Sequence, residues 1–281
     1  MRTIDRRHQT VVVRLVALLL LPLLATACAT PPNPSFPITT QQAYRALEQM
    51  AAAPKAAPRP VVFVGGFADP GFVSAGLRKR LAPMLAGTPT LDCAPGGAGS
   101  FAAARRQLVD AVQLAWPSAD PTETVEVDAV CVSMGGLVAI HAADAQASSP
   151  DAGTRRLRVV RVFTIASPLR GAVLAEHFDF IGIVKEMRPG SPFLARIDAV
   201  CASRSFQLFP YTRTDDGIVG AANTAPPGAL PWWVPGEFGQ SDHLTVQEDP
   251  RILADIARRL RGDEPFSREP RAPLPGSDRT P

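Results

Sequence analysis

Attack on a carbonyl needs an activated oxygen or sulfur, a base within reach of it, and donors for the charge that develops. Ser133 stands where such a nucleophile could work. It follows the alternating, valine-rich stretch 125–132, which predicts a strand. It precedes residues 134–147, whose alanine and leucine spacing predicts a helix. The link between them is Ser133-Met134-Gly135-Gly136. A chain that reverses this sharply has no room for a Cβ, which is the reason for glycine there. The turn lifts the Ser133 hydroxyl above the strand end. It also aims the Met134 N–H into the same space, at a helix N-terminus that favours negative charge. Bases are scarce, with four histidines in the chain. His8 lies in the N-terminal leader, and His141 lies on the helix after Ser133, roughly 12 Å along it at about 1.5 Å per residue. His177 and His243 remain. There is no Cys-x-x-Cys and no histidine pair, so no metal site stands out.

The elements that must position these groups lie between residues 61 and 261. Arg2, Arg6, Arg7 and Arg14 flank an apolar run over 15–24, followed by Ala25-Thr26-Ala27-Cys28. This reads as a secretory signal peptide over 1–27, and the run is short for a membrane span. Cys28 sits where a bacterial lipoprotein signal, which the segment resembles, places its lipidated cysteine. Ordinary cleavage after Ala27 also satisfies the small-x-small rule. Ala29 in place of aspartate implies, by the same resemblance, an outer-membrane anchor. Residues 28–60 read as a proline-rich tether with a short helix over 40–53. Residues 262–281 read as a charged, proline-rich, disordered tail. The chain is 46% hydrophobic with a formal net charge of +3, and about 250 residues beyond the leader suffice for one α/β domain. Its positive charge is spread along the chain, which argues against a nucleic-acid partner. Cys93, Cys131 and Cys201 permit at most one disulfide, and Cys93–Cys201 is the pair to test.

Within the domain, residues 61–64 read as a buried strand, 72–85 as an amphipathic helix, 90–93 as a short strand, and 101–116 as a helix capped by Ser100. Residues 159–165 and 205–211 read as strands, 173–187 as an apolar helix, and 250–260 as a final helix ended by Gly262. Trp232-Trp233 lies in a proline-rich loop over 221–239, where the pair could line a substrate mouth or plug the loop onto the core.

Ser-Met-Gly-Gly after a valine strand resembles the nucleophile elbow of the α/β-hydrolases, in their lipase and esterase branch. Cys131 stands where the usual Gly-x-Ser-x-Gly pattern has its first glycine. Gly65-Gly66-Phe67 resembles the His-Gly-x segment of that branch, with Gly65 replacing the histidine. The resemblance implies that the backbone N–H of Phe67 is the second oxyanion donor beside Met134. Ser167-Pro168 and the Pro189-Gly190-Ser191-Pro192-Phe193-Leu194 run resemble further segments of such enzymes. The fold keeps its triad acid after a sheet strand, and Asp216, before Gly217-Ile218-Val219, fits that position, with Asp215 as its rival. The triad order Ser, Asp, His then excludes His177 and leaves His243, ahead of the last helix.

The resemblance spans residues 61–260. It implies one α/β-hydrolase domain, a mostly parallel sheet with helices on both faces. It also implies a serine hydrolase of carboxylic esters that needs no cofactor, acts on acyl esters or lipids, and is held at a membrane surface through Cys28. Acyl transfer by the same triad is the alternative chemistry. A non-catalytic envelope scaffold is the alternative class, which the substitutions at Gly65 and Cys131 keep open.

Overall fold

Short strands of valine, isoleucine and phenylalanine that bury both faces must be covered by helices on both sides. The computed structural model describes residues 35–147, 155–177, 182–203, 205–236 and 242–270. The segment expected to be a signal peptide, and Cys28 after it, lie outside the described residues. The strands are β1 (Val61–Val64), β2 (Thr90–Cys93), β3 (Val127–Val132), β4 (Val159–Ile165), β5 (Gln207–Arg213) and β6 (Trp232–Val234). They form one sheet in the order β2-β1-β3-β4-β5-β6, and every neighbouring pair runs parallel. The α-helices among the described residues are α1 (Thr40–Ala52), α2 (Phe72–Leu81), α3 (Phe101–Ala115), α4 (Met134–Ala143), α5 (Gly182–Glu186), α6 (Pro192–Ala202), α7 (Asp242–Thr245) and α8 (Pro250–Arg261).

The pleat sorts the strand side chains between two cores. Val62, Val64, Ala129, Cys131 and Val162 meet Leu108, Leu137, Ile140 and Ile197, so α3, α4 and α6 cover one face. Val61, Phe63, Val130, Val132 and Phe163 meet Leu77, Leu81, Ile252 and Ile256, so α2 and α8 cover the other, with Ala43 and Met50 of α1. Each valine, leucine, isoleucine, phenylalanine or methionine among them contributes roughly 1.5–3 kcal/mol when fully buried. The fold is the single α/β domain with a parallel sheet that the sequence implies.

Capping sets where the helices begin. The Thr39 hydroxyl accepts from the Gln42 N–H (3.2 Å) while the Gln42 side chain accepts from the Thr39 N–H (2.8 Å). Ser100 caps α3 through the Ala103 N–H at 3.2 Å. Gly262 closes α8 at a φ of 69°, as its place after the last helix implies.

Five details depart from expectation, besides an α4 that ends at Ala143 with a 3-10 turn over Ala145–Ala147. The helix over 72–85 stops at Leu81, and Ala82–Met84 is a 3-10 turn, because Pro83 has no N–H to continue the ladder. The segment 173–187 is not one helix: Val173–His177 is a 3-10 turn and α5 starts at Gly182, while Phe178, Phe180 and Ile181 lie outside the described residues. Trp232 and Trp233 form β6, the edge strand beside β5, with both rings buried. Trp232 lies 5.8 Å from Tyr211 and 5.9 Å from Phe209, with the Arg259 guanidinium 4.8 Å over its ring. The pair is core, and the mouth reading is set aside. Residues 263–270, expected in a disordered tail, pack back onto α8, where the Phe266 N–H donates to Asp255 (3.0 Å) and Arg259 donates to the Ser267 carbonyl. Residues 271–281 lie outside the described residues. Finally, Cys93 and Cys201 are free thiols, as is Cys131. Cys93 ends β2 and Cys201 lies on α6, and burial pushes their thiols up to about 11 and about 12. Both are protonated and poorly nucleophilic at neutral pH.

Candidate active site

Four strand ends deliver the site to one edge of the sheet. In an open parallel sheet, ligands bind outside the carboxyl ends of the strands, where the chain order reverses. Here β1 has β2 on one side and β3 on the other, and the later strands continue beyond β3. The loop after β1 carries Gly66 and Phe67, the turn after β3 carries Ser133, the turn after β5 carries Asp216, and α7, after β6, carries His243.

Ser133 has φ 50° and ψ −128°, a conformation that costs on the order of 1–3 kcal/mol for a residue with a Cβ. Both neighbours over-determine it. The Ser133 N–H donates to the Ile165 carbonyl of β4 at 2.8 Å, and α4 begins at the next residue. The two glycines that follow are spacing requirements. A Cβ on Gly135 would stand 2.6 Å from the Gly65 carbonyl oxygen and 2.7 Å from that of Val64. A Cβ on Gly136 would run into Ser167 and Thr164. Cys131 does not disturb this turn, because its side chain points into the core beneath α4 among Val62, Val64 and Leu137.

His243 joins the two other groups singled out by the sequence. Its Nδ1 lies 2.8 Å from Asp216 Oδ2, and its Nε2 lies 3.1 Å from Ser133 Oγ. A carboxylate only accepts, so Nδ1 carries the proton and the Nε2 lone pair faces the serine hydroxyl. The second Asp216 oxygen accepts from the Ile218 N–H (3.0 Å) and the Val219 N–H (2.9 Å), which fixes the carboxylate plane. Asp216 is 4% exposed and His243 8%. Asp215 points elsewhere, against Gly236, whose added Cβ would collide with its carboxyl. Of the two candidate acids, Asp216 is the one at hydrogen-bond distance from the imidazole.

The Met134 N–H is the first of α4, and the Phe67 N–H follows the loop glycines. Among the described residues neither has an intramolecular acceptor. The loop with Phe67 abuts the serine: a Cβ on Gly66 would fall 3.1 Å from Ser133 Cβ and 3.7 Å from its Oγ. Asp69 pins this loop, a role the sequence analysis missed. Its carboxylate accepts from Gly71 N (2.9 Å), Val73 N (3.1 Å) and Ser74 N (3.3 Å), capping α2. An aspartate just before Pro-Gly and an apolar helix was the available signal.

Two lobes of free volume meet at Ser133 and are parted by Phe67, His243 and Leu244. The larger, about 320 Å³, is walled by Ala172, Leu174, Ala175, Val184, Met187 and Ile218. The smaller, about 250 Å³, lies over Asp69, Phe72, Val73 and Gln247. Phe67, Phe72, Leu174 and Leu244 are exposed around the rim.

Of the remaining histidines, His141 packs away from this cluster. The His141 ring meets Phe193 edge-on at 5.4 Å. Burial, and then the nearby Arg105, push its imidazole down to about 4, so it stays neutral at pH 7. His177 is in the 3-10 turn after Ala172, and His8 lies outside the described residues.

No protein-family model matches the chain, and no curated protein is significantly similar to it. Solved structures align with it in part. A lipase from Bacillus licheniformis in its propeptide form aligns with a TM-score of 0.51 at 16% identity, over 78% of this chain and 54% of that one. The mature form of that lipase aligns with a TM-score of 0.49 at 16% identity, over 74% and 94%. A metagenomic carboxyl esterase aligns with a TM-score of 0.48 at 15% identity, over 74% and 77%. At 16% identity the alignment with the propeptide form is a likeness of fold alone.

Proposed function

We propose that this protein is a serine hydrolase that cleaves carboxylic esters with an apolar acyl group through Ser133, His243 and Asp216. The observation that carries the reading is the hydrogen-bonded series from Asp216 through His243 to Ser133, at 2.8 and 3.1 Å. As Ser133 Oγ attacks the ester carbonyl carbon, His243 Nε2 takes its proton, and the Asp216 carboxylate stabilises the imidazolium. The Phe67 and Met134 N–H groups receive the oxyanion, where one such donor is worth about 2.7–4 kcal/mol. His243 returns the proton to the leaving alkoxide, the alcohol departs, and the acyl group remains on Ser133. Water, deprotonated by the same imidazole, then releases the acid. The direct test is hydrolysis of a series of p-nitrophenyl esters by the purified mature domain. Release of nitrophenolate well above the background rate is expected, and a folded protein that accelerates none of the series contradicts the reading.

The apolar walls of the larger lobe assign the acyl chain to it, and the smaller lobe takes the leaving group. Ala175→Leu should narrow the larger lobe. For a decanoate ester kcat/KM should then fall on the order of tenfold relative to a butyrate ester, since a misplaced methylene discriminates at about that level. An unchanged chain-length profile would put the acyl chain elsewhere.

The same reading includes export and a lipid anchor at Cys28, which would keep the mouth near acyl substrates at a membrane surface. Metabolic labelling with an alkynyl fatty acid should mark the wild type and not Cys28→Ser. Equal labelling of both would remove the anchor from the proposal.

A further inference from the structure

Four buried charges adjoin the site and have no part in the proposed reaction. Arg213 ends β5, Asp242 and Thr245 lie on α7, and Asp249 and Arg251 are at the start of α8. Arg213 Nη1 donates to Asp242 Oδ1 (3.2 Å) and to Thr245 Oγ1 (3.0 Å), while its Nη2 donates to Asp249 Oδ2 (3.3 Å). Arg251 donates to the same Asp249 from Nε (3.0 Å) and Nη2 (2.6 Å). All four charged residues are less than a tenth exposed, and their formal charges cancel.

A buried ionic cluster is a poor source of stability, because desolvation offsets most of the attraction, and apolar groups of the same volume do as well. What it offers is fixed geometry, and the connectivity here says what is fixed. The Asp216 N–H donates to the Arg213 carbonyl at 3.3 Å, so the Arg213 backbone carries the turn that bears the acid. Asp242 directly precedes His243, and α7 is a single turn, too short to hold its own shape. We infer that Arg213 is a positioning residue: its guanidinium ties the His243-bearing turn to the strand that carries Asp216, and so sets the acid–base distance in the triad. This inference rests on the hydrolase reading for its kinetic arm only.

The test uses Arg213→Met/Asp242→Asn, which removes one charge of each sign and leaves the Asp249–Arg251 pair intact, beside Arg213→Lys. In the wild type, the Nδ1 proton shared between His243 and Asp216 should give a far-downfield proton resonance, absent in His243→Ala. In the double variant, with cooperative melting retained, that resonance should vanish into exchange. With ester substrate, kcat should drop 10- to 100-fold with KM within about threefold, the scale expected for misplacement near 1 Å. Arg213→Lys should recover part of the loss, because an ammonium reaches fewer of the three acceptors than the planar fork. A folded double variant that keeps both the resonance and wild-type kcat overturns the inference. If the double variant does not melt cooperatively, Arg213→Lys decides: a lowered kcat at constant KM supports positioning, and an unchanged kcat overturns it. A wild type that shows the resonance but cleaves no ester contradicts the hydrolase reading instead.

Discussion

Ser133→Ala should lower kcat for the best ester substrate by about 10⁶-fold, leaving only what binding and the oxyanion donors provide. The substitution removes the one atom that lies 3.1 Å from His243 Nε2 and faces both lobes. It leaves the backbone conformation to a residue with the same Cβ, so the strain of the turn is unchanged. The melting temperature should therefore stay within a few degrees of wild type. Steady-state hydrolysis and thermal melts on the same preparations check both halves. Turnover that survives at a tenth of wild type would place the nucleophile on another residue.

Asp216→Asn should lower kcat by about 10⁴-fold, and Asp215→Asn should stay within about threefold of wild type. An amide at the position of Asp216 can still fill the site and accept from Ile218 and Val219. It has no charge to stabilise the imidazolium, and its NH₂ favours the tautomer with the proton on Nε2, where it blocks uptake from Ser133. Asp215 lies against Gly236, so its charge is not part of this exchange. Parallel kcat measurements on the two variants, with circular dichroism as the control for folding, decide the assignment. The reverse order of losses would transfer the acid role to Asp215 and require the β5–β6 connection to rearrange.

Local chemistry pointed in advance to several of the residues that the structure brings together in the candidate site. The turn at Ser133 is legible because Gly135 and Gly136 must clear β1 and β4, and that requirement is written in consecutive residues. The choice of His243 came from the small number of histidines and from the Ser, Asp, His order that the resemblance implies. Asp215 and Asp216 could not be separated by spacing, because adjacent carboxylates on one turn differ only in where the turn points them. The misses share a cause. Trp232-Trp233 becomes a strand only because β5 offers an unpaired edge, which no three-residue window reveals. The unpaired cysteines depend on elements placed by the whole fold. Residues 263–270 are polar by composition, yet Asp255 and Arg259 of α8 hold them through single hydrogen bonds. Nothing local to Arg213 names its partners on α7 and α8, whereas Asp69 carries a local signal in its place before Pro70-Gly71 and an apolar helix.

The central claim is that Ser133 is an activated nucleophile, and the measurement that tests it most directly is labelling with a fluorophosphonate. The purified protein, incubated with the probe and digested, should yield one modified peptide with the adduct on Ser133. Labelling should be lost in His243→Ala, where no base takes the proton. A folded wild-type protein that stays unlabelled, with or without mild detergent, or that carries the adduct on a different residue, would contradict the account.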